Sequence, residues 1–186
     1  MDSDGPSTVF VTIDAPAWHA VVDDPEQLCC EAIAATLRHA APAGWPAAEV
    51  SVLLCDDARM RALNARYRRQ DRATNVLSFP ALELDPARLP PAPPPLLGDV
   101  VLAAETVAAE AAKGGRRPAD HLRHLVVHGC LHLLGHDHQD DAGAARMEGL
   151  ESTTLRALGV ADPHAEPAAE EARRTPAGRA PAELAP

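Results

Sequence analysis

His121-Leu122-Arg123-His124-Leu125-Val126-Val127-His128-Gly129-Cys130-Leu131-His132-Leu133-Leu134-Gly135-His136-Asp137-His138 is the most informative stretch of the chain. Its apolar residues are spread around most of a helix circumference, so the helix they form must be largely buried. Pro118 suits the first turn of that helix, and Gly135 stands where a C-cap should end it, near Leu134. His128 and His132, four apart, project from one face with about 6 Å between them. Past Gly135 the chain turns back, which lets His138 approach the same point from outside the helix. Buried imidazoles need partners, and one metal ion satisfies several together. Three nitrogen ligands leave a fourth tetrahedral position for water, the layout of a catalytic zinc site rather than a closed structural one. Taken alone, a histidine pair four apart is usually surface chemistry of no consequence. The apolar helix, the terminating glycine and the third histidine set this pair apart. One Zn2+ per chain is therefore expected on His128, His132 and His138, zinc being preferred over nickel or iron on ligand type. His136 reads as a neighbour rather than a ligand. His124, one turn before His128, can either orient a ligand or face substrate, and Asp137 can orient a ligand imidazole.

Working outward, Val9, Val11 and Ile13 alternate as in a strand from Thr8 to Ile13. Asp24-Pro25-Glu26-Gln27 supplies an N-cap, a first-turn proline and a glutamine at the capping-box position. The helix it opens buries Leu28, Cys29, Ala32, Ile33 and Leu37 and should stop near Pro42-Ala43-Gly44. Glu49 to Cys55 reads as a second strand. Asp56 can cap a helix with Met60, Leu63 and Tyr67 on one face. Asn75 to Phe79 is a short strand ended by Pro80, and Pro86 to Pro95 is a proline-rich loop. Gly98 to Ala103 gives a further strand, followed by an alanine-rich helix that Gly114-Gly115 ends. A last helix spans roughly Asp140 to Leu158, with Met147, Leu150, Thr154 and Leu158 facing inward and Gly159 as stop. Asp140, Asp141 and Glu148 read as cap and surface rather than metal ligands. From Val160 onward there is almost nothing to bury, and this stretch is expected to be disordered. The expectation is an α+β domain over residues 1–162 with a tail over 163–186. Its central sheet should hold about four strands packed with about five helices, the metal-binding helix buried and the ligand layout zincin-like.

Composition agrees. Hydrophobic residues make up 46% of the 186 and aromatics only 3%, so the core must be mostly aliphatic. No apolar run approaches the roughly 18 to 20 residues that span a bilayer. The start, Met1-Asp2-Ser3-Asp4, is acidic and lacks the basic-then-apolar layout of a signal peptide. A soluble, cytoplasmic protein without a membrane partner is expected. Cys29, Cys30, Cys55 and Cys130 form no Cys-x-x-Cys pair and should all be reduced. A net charge of −10 argues against a protein that coats nucleic acid non-specifically. Yet Arg59, Arg61, Arg66, Arg68, Arg69 and Arg72 cluster together, opposed locally only by Asp71. Such a strip suits a localised phosphate-binding cleft, and equally an ordinary solvated helix face.

The histidine stretch, read as His128-Gly129-x-Leu131-His132-Leu133-x-Gly135-x-Asp137-His138, resembles the signature of the YbeY family of bacterial rRNA endoribonucleases. Two further stretches agree in the family's order. One is Leu63-Asn64, Tyr67-Arg68, Asp71 and Thr74-Asn75-Val76-Leu77-Ser78-Phe79-Pro80; the other is Leu97-Gly98-Asp99-Val100. The likeness covers residues 49 to 163 and leaves out the proline-rich loop and the tail as peripheral departures. The resemblance implies a central-sheet α+β fold with a single zinc on the three histidines. It further implies cleavage of single-stranded RNA, in maturing the 3′ end of 16S rRNA and in ribosome quality control. The partners it implies are rRNA and the small ribosomal subunit. The family's arginine associated with activity falls on Arg68, whose guanidinium fork matches phosphate oxygens. Ser78 lies beside these residues without a Gly-x-Ser-x-Gly elbow, so it reads as structural or substrate-contacting rather than nucleophilic.

Two other classes compete. The ligand spacing is similar to that of metzincin peptidases, but Gly129 stands where those enzymes carry the glutamate that handles the proton of an amide leaving group. A ribosome-associated factor with purely structural zinc would need a closed fourth ligand.

Overall fold

The computed structural model describes residues 7–41, 47–81 and 96–164. The expected proline-rich loop at Pro86 to Pro95, the helix stop at Pro42-Ala43-Gly44 and the tail from residue 165 lie outside the described residues.

Among the described residues four strands form one sheet: β1 (Thr8–Ile13), β2 (Glu49–Cys55), β3 (Val76–Pro80) and β4 (Leu96–Ala103). Their order is β1-β2-β4-β3, with β1, β2 and β4 parallel and β3 antiparallel to β4. The two-residue period of a strand divides the side chains between two cores. Val50, Val52 and Leu54 of β2, with Val100 and Leu102 of β4, enter the larger one. Cys55, Val101 and Ala103 face the smaller one, beneath helix α3 (Asp57–Arg68) and its buried Met60. Parallel strands need crossovers long enough to hold helices. The first runs through α1 (Trp18–Val21) and α2 (Pro25–Ala40). After β4 come α4 (Ala104–Lys113), α5 (Pro118–Leu133) and α6 (Asp141–Ala157).

Among the described residues the expected α+β class with four strands is found, and six helices stand where about five were foreseen. The extra one is α1. Its four residues are too few to show a period, but Trp18 is fully buried and its indole Nε1 donates to the Cys55 carbonyl at 3.0 Å. The expected caps form: the Asp24 carboxylate accepts from the Gln27 amide and that of Asp56 from the Arg59 amide. Only half of the capping box at Gln27 is made, because its side chain donates to Glu31 instead. The expectation that packing ends at Val160 is corrected. Val160 is buried in the larger core and its amide donates to the Leu155 carbonyl at 2.9 Å, so the chain stays attached past α6.

Gly98 holds φ at +134°, and a Cβ there would collide with the Phe79 carbonyl across the β3–β4 pair. No other residue fits that close approach. The α5 side chains Leu122, Val126, Val127, Leu131 and Leu133 are all essentially inaccessible. Each contributes about 1.5–3 kcal/mol by burial. The helix is thus anchored by its apolar residues, and its histidines are free for another purpose.

Candidate metal centre

Helix α5 ends in a turn that only glycine takes cheaply. Gly135 has φ +85°; its amide donates to the His132 carbonyl, and the His136 amide donates to the Leu131 carbonyl, both at 3.0 Å. This is the Schellman arrangement. It brings the His136 carbonyl back over the helix end, where it accepts a hydrogen bond from His132 Nδ1 at 3.0 Å. A carbonyl only accepts, so His132 carries its proton on Nδ1 and turns a bare Nε2 inward. On the other side, His128 Nδ1 lies 2.6 Å from Glu151 Oε1 of α6. Glu151 is buried, which by itself would raise its pKa. The three imidazoles facing it, those of His124, His128 and His164, outweigh this and hold the carboxyl well below the usual carboxylate range. Glu151 is therefore an acceptor, so His128 donates through Nδ1 and turns its Nε2 inward.

The two Nε2 atoms stand 3.1 Å apart. Two imidazole nitrogens this close need a shared proton or a metal ion beside both, since two bare lone pairs would repel. The donors of a tetrahedral zinc site are separated by about 3.3 Å, given Zn–N bonds of 2.0–2.1 Å. His138 arrives from beyond the turn, its ring centroid 5.2 Å from that of His132 and 5.8 Å from that of His128. One nitrogen from each of the three rings lies within 4.8 Å of the others, a group that could hold a metal ion. Burial first, then repulsion from His128 when that ring is protonated, lowers the His132 pKa and favours the neutral form that a ligand must have. Among the described residues no fourth His, Cys, Asp or Glu joins the group. Cys130, on the same helix, is buried with its thiol pushed up to about 12 by desolvation, so it offers no thiolate.

Glu151 was not singled out in the sequence, although a signal exists. It lies four residues after Met147 and three before Thr154, so a charged residue interrupts the inward stripe of α6. A carboxylate that orients a ligand imidazole raises its basicity, and losing one costs about 10–100-fold in metal affinity. Glu151→Gln keeps the shape and removes the charge. Competition with a chelator should show that fall; affinity equal to wild type would remove Glu151 from this role.

A cavity of about 520 Å³ opens over the three histidines, its wall including Arg68, Ser78 and Asp137. Of the six clustered arginines, Arg68 alone lines it. Arg61 instead forms a fork with Asp71 at 2.6 and 2.8 Å, and Arg66 lies over the Tyr67 ring. The strip is thus largely a solvated helix face that delivers one cation to the cleft. Asn64, buried beneath it, donates to the Arg72 carbonyl at 2.8 Å and ties α3 to the loop leading into β3. Ser78 Oγ donates to the Gly129 carbonyl at 3.1 Å, which fixes β3 against α5. Asp137 accepts the amide of His138 at 2.7 Å and so shapes the loop, while the bond that orients His132 comes from the His136 carbonyl. His124 lies outside this cavity, with Nε2 3.6 Å from Glu151 Oε2. Asp140 caps α6 by accepting from the Gly143 amide, as expected.

The family model described as Endoribonuclease YbeY matches residues 18–159. A protein of Paramagnetospirillum magneticum named Endoribonuclease YbeY is 49% identical over 158 residues, covering 85% of this chain and 96% of its own. Its namesake in Azorhizobium caulinodans is 48% identical over 162 residues, covering 86% of this chain and 98% of its own. The solution structure of TM1509 from Thermotoga maritima aligns with a TM-score of 0.53 at 21% identity. That alignment covers 86% of this chain and all of the other, and so bears on the fold. The reach of the family model across the sheet and the histidine helix, together with near-half identity to full-length relatives, places the chain in the YbeY endoribonuclease family.

Proposed function

We propose that this protein is an rRNA-processing endoribonuclease that cuts single-stranded RNA, with one zinc ion on His128, His132 and His138 and with Arg68 as the cation facing the scissile phosphate. The observation that carries the reading is the convergence of three imidazoles on the floor of a cleft whose wall holds Arg68. Membership of the family supports it, since the relatives bear the name endoribonuclease. The 3′ end of 16S rRNA within the small ribosomal subunit is the proposed substrate, and the cytoplasm the proposed compartment. No helix of the described residues is long and apolar enough to cross a membrane.

When bound, zinc supplies a Lewis acid and lowers the pKa of water to about 7. The chain's own groups do the rest. Glu151 and the His136 carbonyl hold the two helical imidazoles in the liganding tautomer. The Arg68 guanidinium can take two phosphate oxygens at once and offset the charge that builds on phosphorus in the transition state. A cleft about 520 Å³ in volume admits an unstacked strand, whereas a duplex presents its phosphates on a wide cylinder.

A peptidase needs a proton-handling carboxylate beside the metal. The position equivalent to the metzincin glutamate is Gly129, where a Cβ would already lie 2.7 Å from Val100 Cγ1. A purely structural zinc is disfavoured by the three-donor group and the open cleft above it. The direct test incubates the protein with unstructured RNA and with casein, with and without chelator. RNA should be cut only in the metal-loaded sample, and casein in neither; intact RNA in the loaded sample would refute the proposal. Arg68→Ala should lower kcat by about 10²-fold, the scale of one lost transition-state donor, with metal content unchanged. Full activity in that variant would take Arg68 out of the chemistry.

A further inference from the structure

Glu151 stands between two sets of nitrogen donors. Its Oε1 accepts from His128, while its Oε2 lies 2.7 Å from His164 Nε2 and 3.6 Å from His124 Nε2. We propose that His124, Glu151 and His164 form a second site for a divalent transition-metal ion of zinc's borderline softness, separate from the three-histidine site.

The donor atoms of this trio all lie within 4.8 Å of one another, as compact as the trio formed by His128, His132 and His138. Two imidazoles and one carboxylate form a donor set that suits zinc, whereas magnesium and calcium call for oxygen ligands. Hydrogen bonding alone does not account for the geometry. At 3.6 Å, His124 Nε2 is too far from Glu151 to donate to it. It does stand close to the separation of about 3.3 Å between neighbouring donors of a tetrahedral zinc site. The 2.7 Å contact of His164 would have to open by roughly 0.6 Å on the same reckoning. Its side chain is 35% exposed and can swing that far.

The pieces are also held in place. His124 belongs to buried α5 and Glu151 to α6, where the carboxylate is only 3% exposed. His164 follows α6, and Asp162 positions it by accepting both from its amide and from Ser152 Oγ, each at 2.9 Å. The His124 and His164 rings meet edge to face, with centroids 6.1 Å apart and planes at 87°, so their nitrogens approach from different corners. A cavity of about 340 Å³, which His121, Glu148 and Met147 also line, gives access to the remaining corner.

The second ion does not act on the same phosphate as the first. Ions paired in two-metal phosphodiester chemistry lie about 3.5–4 Å apart. Here the whole His128 ring and the Glu151 carboxylate intervene. The role that fits is a clamp, fastening the segment beyond α6 to α5.

The test rests on the three-histidine reading only for the first equivalent, and because it reads metal rather than RNA cleavage, loss of nuclease activity and loss of the second site are distinguishable. Chelator-stripped full-length protein is titrated with Zn2+, following bound zinc per chain and the thermal midpoint. Wild type should take up two equivalents, with the second raising the midpoint. His164→Gln should take up one, without the second rise, and His132→Ala should keep the equivalent at the second site. Wild type saturating at one equivalent that His164→Gln retains and His132→Ala loses would overturn the proposal. So would a His164→Gln protein that still binds two, because the second ion would then sit elsewhere.

Discussion

His132→Ala should cut RNA cleavage by roughly a thousandfold or more while leaving the fold intact. The magnitude follows from what the residue holds. A bound metal contributes several kcal/mol of transition-state stabilisation, and each 1.36 kcal/mol is tenfold in rate. Removing His132 takes away one of three nitrogens and the group whose Nδ1 engages the His136 carbonyl. On the proposed three-histidine site, losing one of three donors loses the ion, so the expected loss is of the whole centre rather than of one interaction. The fold should survive because α5 is anchored by Leu122, Val126, Val127, Leu131 and Leu133, while His132 is only half-buried. Alanine also has the highest helix propensity. The measurement is RNA cleavage beside metal content and circular dichroism on the same preparation. A folded, metal-free variant that still cut RNA at the wild-type rate would show that the histidines are not the catalytic centre.

The histidine centre was legible because its logic is local. Spacing along α5 sets His128 and His132 on one face, and Gly135 announces the turn that returns His138. The strands were legible for a similar reason, since the alternation at Val9, Val11 and Ile13 and the run through Val50 to Leu54 are statements about immediate neighbours. What escaped depends on contacts remote in sequence. Glu151 lies 23 residues beyond His128 and acquires its role only when α6 packs on α5. His164 sits in a stretch whose composition reads as tail, and only the return of Val160 to the core brings it back to the site. The same holds for α1, a single turn fixed by the Trp18 indole reaching the end of β2. Asp137 shows the converse limit. Its proximity to the ligands was readable, but not that its carboxylate would be taken up by the backbone of His138.

Gly129→Glu, the change that would install a metzincin-like carboxylate, should unfold the protein rather than convert it to a peptidase. Gly129 faces the sheet. A Cβ at that point meets Val100 Cγ1 at 2.7 Å, Ser78 Oγ at 3.1 Å and Val100 Cγ2 at 3.3 Å. Val100 is completely buried and, being β-branched, has little freedom to rotate away. Gly129→Ala sets two effects against each other. Helix propensity favours alanine by about 1 kcal/mol, while overpacking costs about 1–3 kcal/mol. The net is a loss of up to about 2 kcal/mol, visible as a lowered thermal midpoint. Glutamate adds a long side chain and a charge without a partner at the α5–sheet contact, which costs several kcal/mol more. Stability margins are typically 5–15 kcal/mol, so that variant should accumulate as insoluble protein and digest no casein. Val100→Ala in the Gly129→Ala background should recover part of the alanine variant's loss, because it removes both methyl groups in conflict. If Gly129→Glu instead folds with a wild-type midpoint, the α5–sheet contact is not what keeps a glutamate out of this site.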